Sequence, residues 1–177
     1  MKTMTKRLLW AAALVLLAAV LVLVNMPKKH AMIPGTEVSE EMPDFTARCL
    51  DGSSFHLQEQ RGKVVVINIW ATWCAPCVKE LPSFDRLQRE YPEEVAVLAL
   101  HSRPVTADVP DYLSAFTYII SFAVDEDGSL GEVLNISAVL PQTVIISPEG
   151  IVTYNQSGSL GYEKLLELVN DAKAVIK

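Results

Sequence analysis

Cysteine is scarce in this chain, with three residues in 177, too few for a small fold held by disulfide staples. Histidine is equally scarce: His30, His56 and His101 show no paired spacing. A zinc centre built on one C-x-x-C pair would need two further ligands, and the sequence does not offer them at a recognisable spacing. Basic residues run short after residue 24, where 12 Lys and Arg stand against all 21 Asp and Glu, a net charge of −9. That balance argues against nucleic acid or anionic lipid as a partner and fits a solvated acidic surface. There is no internal repeat and no low-complexity block. The length suits one ordinary domain with a short appendage.

The appendage is the N-terminus. Lys2, Lys6 and Arg7 precede an apolar run from Leu8 to Val24 that holds no charge, Pro or Gly. Seventeen residues at about 1.5 Å each span roughly 25 Å, the short end of a transmembrane helix. A secretory signal peptide shares the basic start and apolar run, but no A-x-A cleavage pattern follows here and no Cys stands ready for lipid modification. An uncleaved single-pass anchor over 1–24 is therefore expected. The small excess of basic residues before the run favours the N-terminus inside and the rest outside, at the cell membrane. Residues 25–43, with Pro27, Pro34, Gly35 and Pro43, read as a tether.

From 44 to 177 the texture is α/β. Phe45 to Cys49, the turn Asp51-Gly52 and Ser53 to Leu57 spell a hairpin. Lys63 to Trp70 and Val95 to Leu100 are apolar runs of the kind buried on both faces of a sheet. Between them Cys77, Leu81, Phe84, Leu87 and Tyr91 recur at helical spacing, with Pro82 expected to kink the helix. Further on, the patterns predict a helix over 109–120, a short strand at 122–124, a brief helix over 128–134, a hairpin about Pro148-Glu149-Gly150 and a closing amphipathic helix over 161–176. The order implies a mixed central sheet with helices on its faces.

The chemistry concentrates in Trp73-Cys74-Ala75-Pro76-Cys77. A pair of cysteines after a buried strand and at the start of a helix meets unpaired backbone N–H groups and the positive end of the helix dipole. A thiolate at Cys74 is favoured there and can attack disulfides at neutral pH. Cys77, one turn further in, can resolve the mixed disulfide, and Pro76 restricts the loop that closes the ring. Cys49 alternates with Phe45 and Ala47 and reads as a buried apolar thiol rather than a third redox group. Trp70 reads as a core residue and His101 as structural.

Trp70 to Cys77 resembles the thioredoxin active site. Pro43-Asp44-Phe45, Asp51-Gly52, Gly62-Lys63, Glu80-Leu81-Pro82 and Leu140-Pro141-Gln142-Thr143 bring the resemblance closer to the membrane-anchored TlpA-like and ResA-like thiol–disulfide oxidoreductases. It runs from about Pro43 to the C-terminus. It implies a thioredoxin-like fold, a nucleophilic Cys74, a resolving Cys77 and a redox-active disulfide in place of a cofactor or metal. It also implies a cis bond before Pro141, with Leu140 beside it pairing with an extended substrate segment. Trp73, Ala75, Pro76, Leu140 and Pro141 are then the docking residues. Cytoplasmic thioredoxins carry an aspartate where this chain has Asn68; the resembled branch instead uses a glutamate at the position of Glu80, which can move the proton.

The expected function is reduction of disulfides in extracytoplasmic protein partners such as apocytochrome c, with electrons from a membrane dithiol donor, by a monomer. A disulfide oxidase uses the same constellation. A copper-binding or copper-delivery module of this fold is the alternative of another class, although such relatives tend to have wider cysteine spacing and a distant His. A peroxidase would want Thr in a T-x-x-C arrangement, where this chain has Ala71-Thr72-Trp73-Cys74.

Overall fold

The computed structural model describes residues 40–102 and 109–175. The run Leu8–Val24 and the tether up to residue 39 lie outside the described residues. Among the described residues no helix is long and apolar enough to cross a membrane.

The hairpin comes first. Strands β1 (Thr46–Arg48) and β2 (Ser54–His56) pair antiparallel with Ala47 opposite Phe55. The Asp51 carboxylate accepts from the N–H and hydroxyl of Ser53 and holds the turn. A short 3₁₀ turn (Leu57–Gln60) leads into β3 (Val64–Trp70), and every residue of β3 is buried. Helix α1 (Ala75–Glu90) supplies the crossover that a parallel neighbour requires and delivers the chain to β4 (Val95–His101), parallel to β3 with Val64 opposite Val95. Then come α2 (Val109–Leu113), β5 (Ser121–Val124), α3 (Ser129–Val133), β6 (Gln142–Ile146), β7 (Val152–Ser157) and α4 (Tyr162–Lys173). The five-stranded sheet has the order β5-β4-β3-β6-β7; β6 and β7 run antiparallel to their neighbours.

Alternate residues of the strands feed two cores. Val64, Val66 and Trp70 of β3 with Val95, Val97 and Ala99 of β4 pack with Leu81, Phe84, Leu165 and Val169 from α1 and α4. Val65, Ile67, Ile69, Leu98 and Leu100 face the other way, against Phe45, Ala47, Cys49 and Phe55 of the hairpin and Leu130 of α3. Burial of each such Val, Leu or Ile stabilises by about 1.5–3 kcal/mol relative to exposure. Both sheet edges are partly covered. Leu50 N–H donates to the Phe122 carbonyl at 2.8 Å beside β5, and Met42 N–H to the Gly150 carbonyl at 2.9 Å at the start of β7.

Helix α1 continues through Pro82 to Glu90, although the ring removes the bond to the carbonyl four residues back. The helix expected over 109–120 stops at Leu113. Beyond it Phe116, Thr117, Tyr118 and Ile119 are weak helix formers, and their backbone is engaged elsewhere. Asp85 of α1 accepts from Ile119 N–H at 2.6 Å, and Arg89, ion-paired with Asp85, donates to the Thr117 carbonyl at 2.6 Å. Those bonds replace helical ones.

Candidate active site

Buried β3 ends at Trp70, and four residues later Cys74 caps α1. The connecting loop is fixed from beneath by His101 at the end of β4, whose Nε2 accepts the N–H of Thr72 at 3.1 Å while its ring meets Trp70 edge-on. His101 thus holds the loop. Cys74 takes an extended conformation, and its Sγ accepts the N–H of Cys77 at 3.3 Å. The helix N-terminus therefore aims a backbone donor at the sulfur, the arrangement that stabilises a thiolate. The two cysteines are joined in a disulfide, with Cα atoms 5.3 Å apart. Cys74 keeps a sliver of exposure and Cys77 none. Trp73, 58% exposed, stands beside them with Ala75 and Pro76, also exposed.

Glu80 follows Cys77 by three residues, on the same face of α1. It is 4% exposed and points into the protein, so it is not a solvent-facing charge of the first helical turn. Its Oε1 accepts from Asn68 Nδ2 at 2.7 Å and its Oε2 from the N–H of Leu160 at 2.9 Å. Burial pushes its acid constant up to about 7, against the opposing pull of the Leu160 and Asn68 donors. A carboxyl balanced in this way can give or take a proton near neutrality.

The Leu140-Pro141 bond is cis. Pro141 immediately precedes β6, whose Gln142 lies opposite Ile69 of β3, so the proline and the cysteines share one end of the sheet. Leu140 packs against the cluster that contains Cys74 and Cys77. Val139, 63% exposed, adds an apolar side chain beside it. The loop before the proline is braced by Gln142, which donates to the Asn135 carbonyl and to Asn155 and accepts from Ser137 N–H. The structure thus brings Cys74, Cys77, Glu80, Trp73, Ala75, Pro76, Leu140 and Pro141 to one end of the domain. Cys49 lies on the other face of the sheet, buried against the hairpin.

Sequence reasoning missed three elements. Asn68 counted only as the residue that stands where cytoplasmic thioredoxins carry an aspartate, yet it is the amide that holds Glu80. Its signal was there, as a lone polar residue in a strand buried throughout. Val139 and the Leu160 N–H carried no signal, since any residue but proline offers the latter.

Fold and site together define a thiol–disulfide oxidoreductase of the thioredoxin superfamily. The redoxin family model matches residues 37–176, and the chain belongs to that family. Over 121 residues it is 32% identical to the thioredoxin-like protein YneN of Bacillus subtilis, covering 67% of this chain and 70% of that protein. Over 132 residues it is 30% identical to the thiol–disulfide oxidoreductase ResA of Bacillus thuringiensis, covering 74% and 76% respectively. Among solved structures, a thiol:disulfide interchange protein of the thioredoxin family from Chlorobium tepidum superposes with a TM-score of 0.69 at 21% identity, over 76% of this chain and 96% of that one. The exposed lipoprotein thioredoxin Etrx1 of Streptococcus pneumoniae gives 0.66 at 24% identity, over 73% and 99%. These two likenesses concern the fold. The relatives mark the chain as a ResA-like protein-disulfide oxidoreductase.

Proposed function

We propose that this protein is a disulfide reductase tethered to the cell membrane by Leu8–Val24, with its catalytic domain on the extracytoplasmic side. The observation that carries the reading is Glu80, a buried carboxyl near neutrality set one turn below Cys77. Cys74 thiolate attacks one sulfur of a partner's disulfide, forming a mixed disulfide and expelling the other sulfur as a thiolate, which takes up a proton. Glu80 carboxylate then accepts the proton of Cys77. The resulting thiolate attacks Cys74 Sγ, closing the intramolecular disulfide and releasing the partner's second sulfur. Two electrons pass to the partner, and a membrane dithiol donor returns the domain to its reduced state. Leu140 and Pro141 supply a docking edge for an extended segment, with Trp73 as an apolar wall.

The location rests on the uninterrupted apolar run with basic residues before it. The substrates implied are disulfide-containing proteins outside the cytoplasm: apocytochrome c, an extracytoplasmic methionine sulfoxide reductase or another secreted protein. A Cys77→Ser variant in intact cells should accumulate mixed disulfides through Cys74, and the wild-type pair should rest mainly as the dithiol. A pair held as the disulfide at steady state would instead identify an oxidase. Absence of any mixed disulfide, with tight copper binding by the purified protein, would overturn the oxidoreductase cycle.

A further inference from the structure

The turn between β7 and α4 carries two backbone donors that end on different parts of the site. Gly158 N–H donates to the carbonyl oxygen of Pro141 at 2.8 Å. Two residues on, Leu160 N–H donates to Glu80 Oε2 at 2.9 Å. Gly158 sits at φ +128°, which side chains rarely adopt, while a Cβ placed there would meet nothing within 4 Å. Conformation rather than space therefore calls for glycine at this point.

We propose that the segment Gly158–Leu160 is a positioning element that couples the docking edge at Leu140-Pro141 to the protonation of Glu80. It rests on the acid–base role proposed above for Glu80. With both bonds made, the Leu160 donor faces the carboxylate and favours its charged form, the form that accepts a proton from Cys77. A neutral carboxyl accepts that bond less strongly and holds the turn less firmly. By linkage, a partner that fixes Pro141 favours Glu80 as the base, and protonation of Glu80 loosens the docking edge. Among the described residues, three other side chains bear on the charge of Glu80, directly or through a neighbour. Asn68 approaches from β3 and cannot titrate. Tyr154 of β7, in electrostatic reach of Glu80, has its hydroxyl pushed above the ordinary value by burial. Lys164 of α4, which acts on Tyr154, is pushed above its own by its bond to Glu167. Neither changes charge between pH 5 and 9, and the cysteines do not titrate while joined.

The test is a carbon-13 titration of the Glu80 carboxyl in the full-length oxidised protein, its signal assigned by its loss in Glu80→Gln. Leu160→Pro, and a semisynthetic form with an ester in place of the 159–160 amide, should raise the Glu80 midpoint by about one pH unit. Leu160→Ala keeps the N–H and should leave the midpoint in place. Gly158→Ala touches neither Glu80 nor its donor, yet should move the midpoint the same way and raise KM for insulin as the disulfide substrate. A folded ester form with an unmoved midpoint overturns the inference. So does a Gly158→Ala protein in which KM rises alone. Failure of the acid–base reading looks different: the midpoints move as stated, but Glu80→Gln leaves the pH profile of insulin reduction unchanged.

Discussion

Cys74 and Cys49 are almost equally hidden, at 6% and 5% exposure, yet they lie on opposite faces of the sheet in opposite electrical surroundings. Cys74 caps a sixteen-residue helix and receives a backbone N–H from Cys77. Cys49 ends the first arm of the hairpin, and its thiol faces the Ala47 carbonyl oxygen at 4.0 Å, an acceptor that favours the neutral form. The groove beside it is lined by Asp125, Glu126 and Asp127. Burial first, and then the charge of Asp51, push its thiol above the ordinary range, although hydrogen bonds from Ser53 oppose them. Burial alone therefore does not decide which cysteine reacts. The direction of the local field does.

The sharpest way to break that comparison is to delete each sulfur in turn. Cys74→Ser should lower insulin reduction by at least about 10³-fold, because the covalent route goes with the nucleophile. Cys49→Ala should leave the rate within about twofold and cost stability of about 1 kcal/mol, as for other small losses of buried volume. Comparable losses of rate in both variants would show that the hairpin face takes part in the exchange.

Next in size is the pH dependence of stability from Glu80. Its folded acid constant of about 7 lies above the 4.5 of an ordinary glutamate. Between those values the folded protein binds the proton that the unfolded chain has released, so stability falls as pH rises through the window. The shift corresponds to about 3 kcal/mol, lost progressively from near pH 4.5 to 7. Denaturant unfolding of oxidised wild type and Glu80→Gln should therefore diverge in the variant's favour as pH rises, by roughly that amount. Parallel curves would mean that the carboxylate is solvated despite its burial.

The legible parts of this molecule are the ones whose causes lie close in sequence. The hairpin follows from Asp51-Gly52, whose turn is closed by a side chain two residues away from Ser53. The strands β3 and β4 follow from β-branched and apolar runs buried on both faces. Cys74 and Cys77 follow from one strand–turn–helix segment. What was misread or left unexplained depends on distant partners. Residues 114–120 lost their helix to Asp85 and Arg89, side chains 28 to 34 positions earlier. The burial of Glu80 depends on Asn68 and on a backbone donor 80 residues away. A pattern of side chains does not encode which main-chain N–H will arrive at a carboxylate, so the resemblance could point to Glu80 without explaining its acid constant.

The smallest expected effect is also the most direct measure of the two fields. In the reduced protein at pH 7, iodoacetamide reacts with thiolates, so the rate at each cysteine follows its ionised fraction as well as its access. The two residues have nearly the same exposure in the oxidised protein, and the pH dependence of the ratio separates ionisation from access. A thiol near the ordinary value is a few per cent ionised at pH 7. Cys49, raised by burial and by Asp51, should fall below that, and Cys74 at the helix end should rise above it. Peptide mapping by mass spectrometry should find Cys74 modified at least about tenfold faster than Cys49, one pH unit of difference in acid strength. Raising the pH to 9 should narrow the ratio, because Cys49 then gains thiolate faster than Cys74 does. A ratio independent of pH would assign the contrast to access, and the charge of Asp51 would then have no part in keeping Cys49 inert.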